Sequence, residues 1–239
     1  MGWFNSHPYF KEFIMFQPIG YVGMIDGIVN ARIPSDMYID FDDFNSQPPS
    51  LTLTQAETGS WSLDEDAENG VLLLDSGSTT EAQGINAQKS LATFLPKSDR
   101  TLWFESRVKV SGITNLNAEL FIGLAEIDGT VISASAVSTA NHIGFSSVTD
   151  DGVLLANAEK AGTGATDTGV TIKNDTWVTL GFKVTGLDYI TFYVNGVKCG
   201  SLPAINIPIV VLAPTFVCQS GGTDQPILHV DYWVCQQTR

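Results

Sequence analysis

The chain has 239 residues, 44% of them hydrophobic and only 16% charged, so it can bury a large core and is not globally disordered. Its 26 acidic residues against 12 basic ones give a formal charge of −14. A surface of that sign repels phosphate backbones and argues against nucleic acid as a partner.

Residues 1–36 differ from the rest. They hold Trp3, Phe4, Tyr9, Phe10, Phe13 and Phe16, interrupted by Pro8, Pro18 and Pro34, with neither a helical nor a strand period. The apolar run "FIMFQPIGYVGMIDGIV" is broken by Gln17, Pro18 and Asp26, too often to span a bilayer, and no basic stretch precedes it as in a secretory signal. Gly2 and Ser6 fit a myristoylation pattern too loose to use. An apolar terminal segment must pack on something, either the chain's own core or a neighbour. The expectation is an irregular N-terminal arm over 1–36 that docks on other subunits, followed by one β-domain over 37–239.

"FDDFNSQPPS" forms the junction, with turn-prone Asp42 and Asp43 and the stiff Pro48-Pro49 pair. From Leu51 onward short β-type runs recur between Gly- and Asp-rich turns, and no ten-residue stretch carries a 3.6-residue period. That pattern predicts an all-β sandwich or barrel. In "TLWFESRVKVSG", Leu102, Phe104, Ser106, Val108 and Val110 share one face, while Trp103, Glu105, Arg107 and Lys109 share the other. Val178, Leu180, Phe182 and Val184 likewise oppose Trp177, Thr179 and Lys183. Ile190, Phe192 and Val194 oppose Tyr189, Thr191 and Tyr193. One apolar and one mixed face per strand predicts two antiparallel sheets packed face to face. Asn195-Gly196 after an alternating run predicts a tight hairpin, because both central residues must take positive φ.

The mixed faces carry aromatic residues. Trp103, Trp177, Tyr189, Tyr193 and Trp233 fall there by parity, and His229 and Asp231 share the parity of Trp233. Brought together on one sheet, Trp103, Trp177, Tyr189, Tyr193, His229 and Trp233 would make a glycan platform or a partner-binding face.

Cys199, Cys218 and Cys235 cannot all pair. They lie in apolar runs without CxxC spacing or clustered histidines, so they read as buried free thiols rather than disulfides or zinc ligands. Asp150-Asp151-Gly152 and the Asp64, Glu65, Asp66, Glu68 stretch read as solvated turns, since the spacing of a calcium loop is absent. His7, His142 and His229 stand in unrelated contexts, and the Asn174–Thr176 sequon reads as the turn into Trp177.

"DTWVTLGFKVTGLDYITFYVNGVKCGSLP" resembles the late strands of the concanavalin A-like lectin/glucanase superfamily. Together with "LFIGLAEIDG", "HIGF" and "LHVDYWVCQ", it resembles the LamG-like jelly-roll proteins of tailed bacteriophage virions. The likeness runs through residues 95–239 and more loosely through 37–94. It implies a concanavalin A-like jelly-roll β-sandwich. Glucanases of this superfamily carry E-x-D-x-x-E on one strand. Here Glu126 and Asp128 match, but Val131 takes the third position, and retention needs two carboxylates at a set separation. The expectation is therefore a non-enzymatic bacteriophage virion structural protein. It would be a head decoration or cement protein docking on capsid or other virion subunits, homo-oligomeric, without cofactor and without membrane or nucleic-acid partners. It would be made in the bacterial host cytoplasm. The alternative is a carbohydrate-binding module of a tail or fibre used in host attachment, with a glycan as partner.

Overall fold

The computed structural model describes residues 37–45, 51–56, 58–64, 67, 69–133, 136–148 and 151–239. The expected docking residues Trp3, Phe4, Tyr9, Phe10, Phe13 and Phe16 lie outside the described residues, as do Glu65, Asp66, Glu68 and Asp150.

The strands are, in chain order, β1 (Met37–Asp42), β2 (Leu51–Ala56), β3 (Ser60–Leu63), β4 (Leu72–Asp75), β5 (Gly84–Lys89) and β6 (Thr101–Ser111). Then come β7 (Ala118–Ala125), the short pair β8 (Ile132–Ser133) and β9 (Ala136–Val137), β10 (His142–Ser147), β11 (Val153–Lys160) and β12 (Thr163–Thr171). The chain ends with β13 (Val178–Thr185), β14 (Tyr189–Val194), β15 (Val197–Pro203), β16 (Ala213–Ser220) and β17 (Ile227–Thr238). The first sheet runs β15-β14-β13-β6-β17-β4-β3, with β1 also on β17; the second runs β12-β11-β10-β7-β16-β5-β2. All pairings are antiparallel.

The inward parity read from the sequence is the parity observed. Phe104 stacks on Phe182 at 5.2 Å between ring centroids, Phe182 meets Phe192 at 6.0 Å, and Phe192 meets Phe145 of the opposite sheet edge-on at 5.6 Å. This aromatic chain joins the sheets across the core. Aromatic pairs of this geometry add about 0.5–1.5 kcal/mol each beyond the area they bury. The hairpin after β14 also forms as expected, with Asn195 at φ 50° and Gly196 at φ 76°. Asn195 is further tied to β13: its N–H donates to Thr179 O at 2.7 Å, and its Oδ1 accepts from Thr179 N at 2.9 Å.

One expected placement is corrected. Trp233 does not share a face with His229; it is 0% exposed and belongs to the core. Val230 pairs with Val108, but Tyr232 pairs with Arg107, so one extra residue enters β17 between them. A bulge of this kind reverses the face of every residue beyond it. The Ser106 hydroxyl, buried on the core side, donates to Tyr232 O at 2.7 Å and satisfies a carbonyl at the irregularity.

Candidate functional site

The outer face of the first sheet carries most of the expected platform, but in separate clusters. Trp177 is enclosed by its own chain. The Arg107 guanidinium lies 4.6 Å from the ring centroid, Lys109 Nζ lies at 5.3 Å, and His229 meets the ring edge-on at 6.4 Å. These partners are fixed in turn. Arg107 pairs with Asp231 at 2.7 Å, and His229 Nε2 is 2.8 Å from the Ser111 hydroxyl. Burial and the charge of Lys109 lower the His229 pKa, against the opposing pull of Asp175 and Asp64. Beside them, Tyr232 donates to Glu105 Oε1 at 2.7 Å, and burial raises the pKa of both groups. Trp103 lies four residues back along β6, about 13 Å by strand rise, and its ring faces Lys183 Nζ at 5.8 Å. Tyr189 is exposed and Tyr193 half-buried on β14. With Trp233 inside, no continuous aromatic platform forms among the described residues, and the two indole faces already hold cations.

The outer face of the second sheet was not singled out by the sequence, and it is where a cleft forms. Residues 126–133 and 136–141, including the paired β8 and β9, fold back over one half of it. Gln88 and Asn86, both buried, hold this loop. Gln88 Nε2 donates to Glu126 O at 2.8 Å, Gln88 Oε1 accepts from Asp128 N at 2.9 Å, and Asn86 Nδ2 donates to Asp128 O at 3.0 Å. The two carboxylates of the partial glucanase motif are used within the loop. Glu126 Oε2 accepts from Asn141 N at 3.0 Å and Asn141 Nδ2 at 2.7 Å, while Asp128 Oδ1 accepts from both the N–H and the hydroxyl of Thr130 at 2.9 Å. Val131 fills a small apolar cluster with Phe121, Ala125, Ile132 and Val217.

The other half of the face, over β10, β11 and β12, is left as a cleft of about 290 Å³. Its wall on the loop side is Val137 and Ser138, and Val148, Val153 and Leu155 close its apolar end. The polar groups His142, Ser146, Asn157, Glu159 and Thr166 line the rest. Register explains why they meet: His142 opposes Glu159, Gly144 opposes Asn157, and Asn157 opposes Thr166. Gly144 also pairs with Gly123 of β7, where a Cβ on either residue would strike the partner strand's carbonyl oxygen. The sheet therefore has no side chains at that point, beside the polar row.

Asn157 is 4% exposed and donates from Nδ2 to the Ser146 hydroxyl, but its Oδ1 has no hydrogen-bond partner. His142 is buried, packs edge-on against Phe121 at 5.5 Å, and has Nδ1 at 2.8 Å from Ala140 O. Burial pushes its pKa down to about 4, so the ring is neutral at pH 7. A neutral ring that donates from Nδ1 keeps a lone pair on Nε2. The Glu159 pKa is raised by burial, partly offset by a hydrogen bond to the Gly162 backbone. The signal for this site was present in the sequence. In "VLLANAEK", Asn157 and Glu159 fall on the parity opposite Leu154, Ala156 and Ala158, and in "HIGFSS", His142 and Ser146 fall opposite Ile143 and Phe145.

No group of three or more histidine, cysteine or acidic residues is placed to hold a metal ion among the described residues. Among the same residues, no helix is long and apolar enough to cross a membrane. The three cysteines are free thiols, with Cys218 and Cys235 buried.

No family model and no curated protein sequence matches the chain. Solved structures do. A protein of unknown function from Shewanella oneidensis MR-1 superposes with a TM-score of 0.60 at 16% identity, covering 100% of this chain and 97% of that one. An endo-1,3-β-glucanase from Streptomyces sioyaensis superposes with a TM-score of 0.54 at 13% identity, covering 85% and 97%. The carbohydrate recognition domain of Emp47p gives 0.59 at 10% identity, covering 84% and 96%. The chain thus has the concanavalin A-like jelly-roll fold shared by lectin domains and glucanases. Nothing among these similarities points to a virion. The expectation of a non-enzymatic chain is corrected. Glucanases stand among the structures that share this fold, and Val131 speaks only to one motif on one strand. A carboxylate supplied by another strand, as Glu159 is to the cleft, lies outside that motif.

Proposed function

We propose that the chain is a glycan-binding jelly-roll module carried on a bacteriophage particle. The observation that supports glycan binding is the cleft over β10–β12, where a buried amide with an unmet hydrogen bond stands among hydroxyl, imidazole and carboxylate groups beside an apolar wall. A few convergent polar groups in a mostly apolar concavity are what a small-ligand site requires. The phage setting is supported by the ordered set of motifs over residues 95–239. The test is a glycan array probed with the purified full chain. Binding to a defined set of glycans supports the reading, and an array without signal overturns it.

A second reading, docking on a capsid or other virion protein, is favoured by a different observation. Ile39 and Phe41 on β1, directly after the N-terminal segment, are 44% and 53% exposed. Large apolar side chains exposed together favour a contact surface. Co-sedimentation with particles lacking the protein tests it: Phe41→Ser, or deletion of residues 1–36, should reduce docking. Undiminished co-sedimentation of both variants would remove this reading.

A further inference from the structure

We infer that the cleft over β10–β12 takes an uncharged sugar residue and discriminates against acidic sugars; this rests on the glycan-binding reading. The argument begins with charge. Among the described residues no lysine or arginine lines the cleft and Glu159 is its one carboxylate, while His142 is neutral. A uronate, sialate or phosphate would bring a negative charge next to Glu159 without a cation to offset it, in a chain whose net charge is already −14. Like charges placed together are a strong means of rejecting a ligand.

The hydrogen-bonding inventory points the same way. Ser146 is engaged by Asn157, and Ser138 accepts from Ala140 N at 3.1 Å and donates to Asp128 Oδ2 at 3.3 Å. One end of the Asn157 amide stays unmet whichever way the amide is turned, since its oxygen and nitrogen are placed by the hydrogen-bond network. That end is closed off from solvent, so a ligand reaches it only when the Asn157–Ser146 pair turns toward the cleft; a sugar hydroxyl, both donor and acceptor, then satisfies either orientation. Glu159 and the His142 Nε2 lone pair also favour a ligand rich in O–H donors. Val137, Val148 and Leu155 supply an apolar wall for the C–H face of a pyranose. Among the described residues no phenylalanine, tyrosine or tryptophan lines the cleft, so a single sugar binds without stacking on a large ring and therefore weakly.

The experiment is saturation-transfer NMR with the full chain. Its probes are the methyl glycosides of glucose, galactose, mannose and N-acetylglucosamine, with glucuronate and N-acetylneuraminate as the acidic set. Asn157→Leu removes the unmet amide. Thr166→Trp fills the cleft from an exposed position on β12, where folding is not at stake. At least one neutral glycoside should bind, at least tenfold more tightly than either acidic sugar, and each variant should weaken it at least tenfold. Equal binding of the acidic set would overturn the charge argument. Neutral-sugar binding unchanged in Thr166→Trp would place the glycan elsewhere, leaving the glycan reading standing while this assignment falls. Binding of neither set, with the array also silent, would sink both.

Discussion

The burial of His142 has a measurable consequence for stability. In the unfolded chain its imidazole titrates near the ordinary 6.5, whereas burial among Phe121 and the strands of the second sheet holds it to about 4 when folded. The folded pKa is the lower one, so between these values the unfolded state binds more protons. The stabilising contribution is therefore full above pH 6.5 and is lost as pH falls toward 4. The gap between 6.5 and about 4 corresponds to about 3 kcal/mol in full. Most of it, roughly 2–3 kcal/mol, should disappear between pH 7 and pH 4.5. His142→Asn retains a side-chain N–H where Nδ1 now faces Ala140 O but does not titrate. Urea unfolding of both chains at pH 7 and pH 4.5 gives the difference directly. Carboxylates that titrate over this range, Glu159 included, are present in both chains and cancel to first order. The wild type should lose about 2–3 kcal/mol more than the variant. If both lose the same amount, His142 is not held neutral by the fold.

Phe182→Ala and Phe192→Ala, both at fully buried positions in the aromatic chain that joins the sheets, should each cost about 3–5 kcal/mol, read from urea midpoints. Unchanged midpoints would contradict the face assignment. Native-state alkylation should reach half-buried Cys199 first and leave Cys218, its pKa pushed up to about 12 by burial, and Cys235 unmodified. Unfolding without reductant should then expose all three, and a mass two daltons low with one label would reveal a disulfide. Asp224 accepts hydrogen bonds from Thr114 Oγ1, Asn115 N, Asn115 Nδ2 and Asn117 N. Asp224→Ala should therefore cost roughly 2–4 kcal/mol and speed amide exchange at Asn115 and Asn117; protection equal to wild type would refute that role.

The fold was legible because strand parity is a local property. Leu102 through Val110, Leu180 through Val184 and Ile190 through Val194 declare their faces within a few residues. Asn195-Gly196 declares its turn by the same local logic. Trp233 was misplaced because a bulge is a property of two strands: nothing in "LHVDYWVCQ" shows that Val230 and Tyr232 meet successive residues of β6. The aromatic platform was over-read for a related reason. Trp177 is enclosed by Arg107 and Lys109 from the neighbouring strand, a pairing that parity on its own strand does not contain. The parity of the cleft is visible in the sequence, but it does not mark a site, because Asn157 and Glu159 sit in a run whose Leu154, Ala156 and Ala158 belong to the core. Its depth comes from the segment carrying Val137 and Ser138, which no local pattern positions.

The manner in which Gln88 and Asn86 grip that loop bears on how such a chain could diversify. Their amides touch only main-chain atoms there: the carbonyls of Glu126 and Asp128 and the N–H of Asp128. A mount of this kind does not depend on which side chains the loop presents. Related chains could exchange the residues around Val137 and Ser138, and so the lip of the cleft, without loosening its attachment. Variation among relatives should then concentrate in residues 130–140, with amides retained at positions 86 and 88.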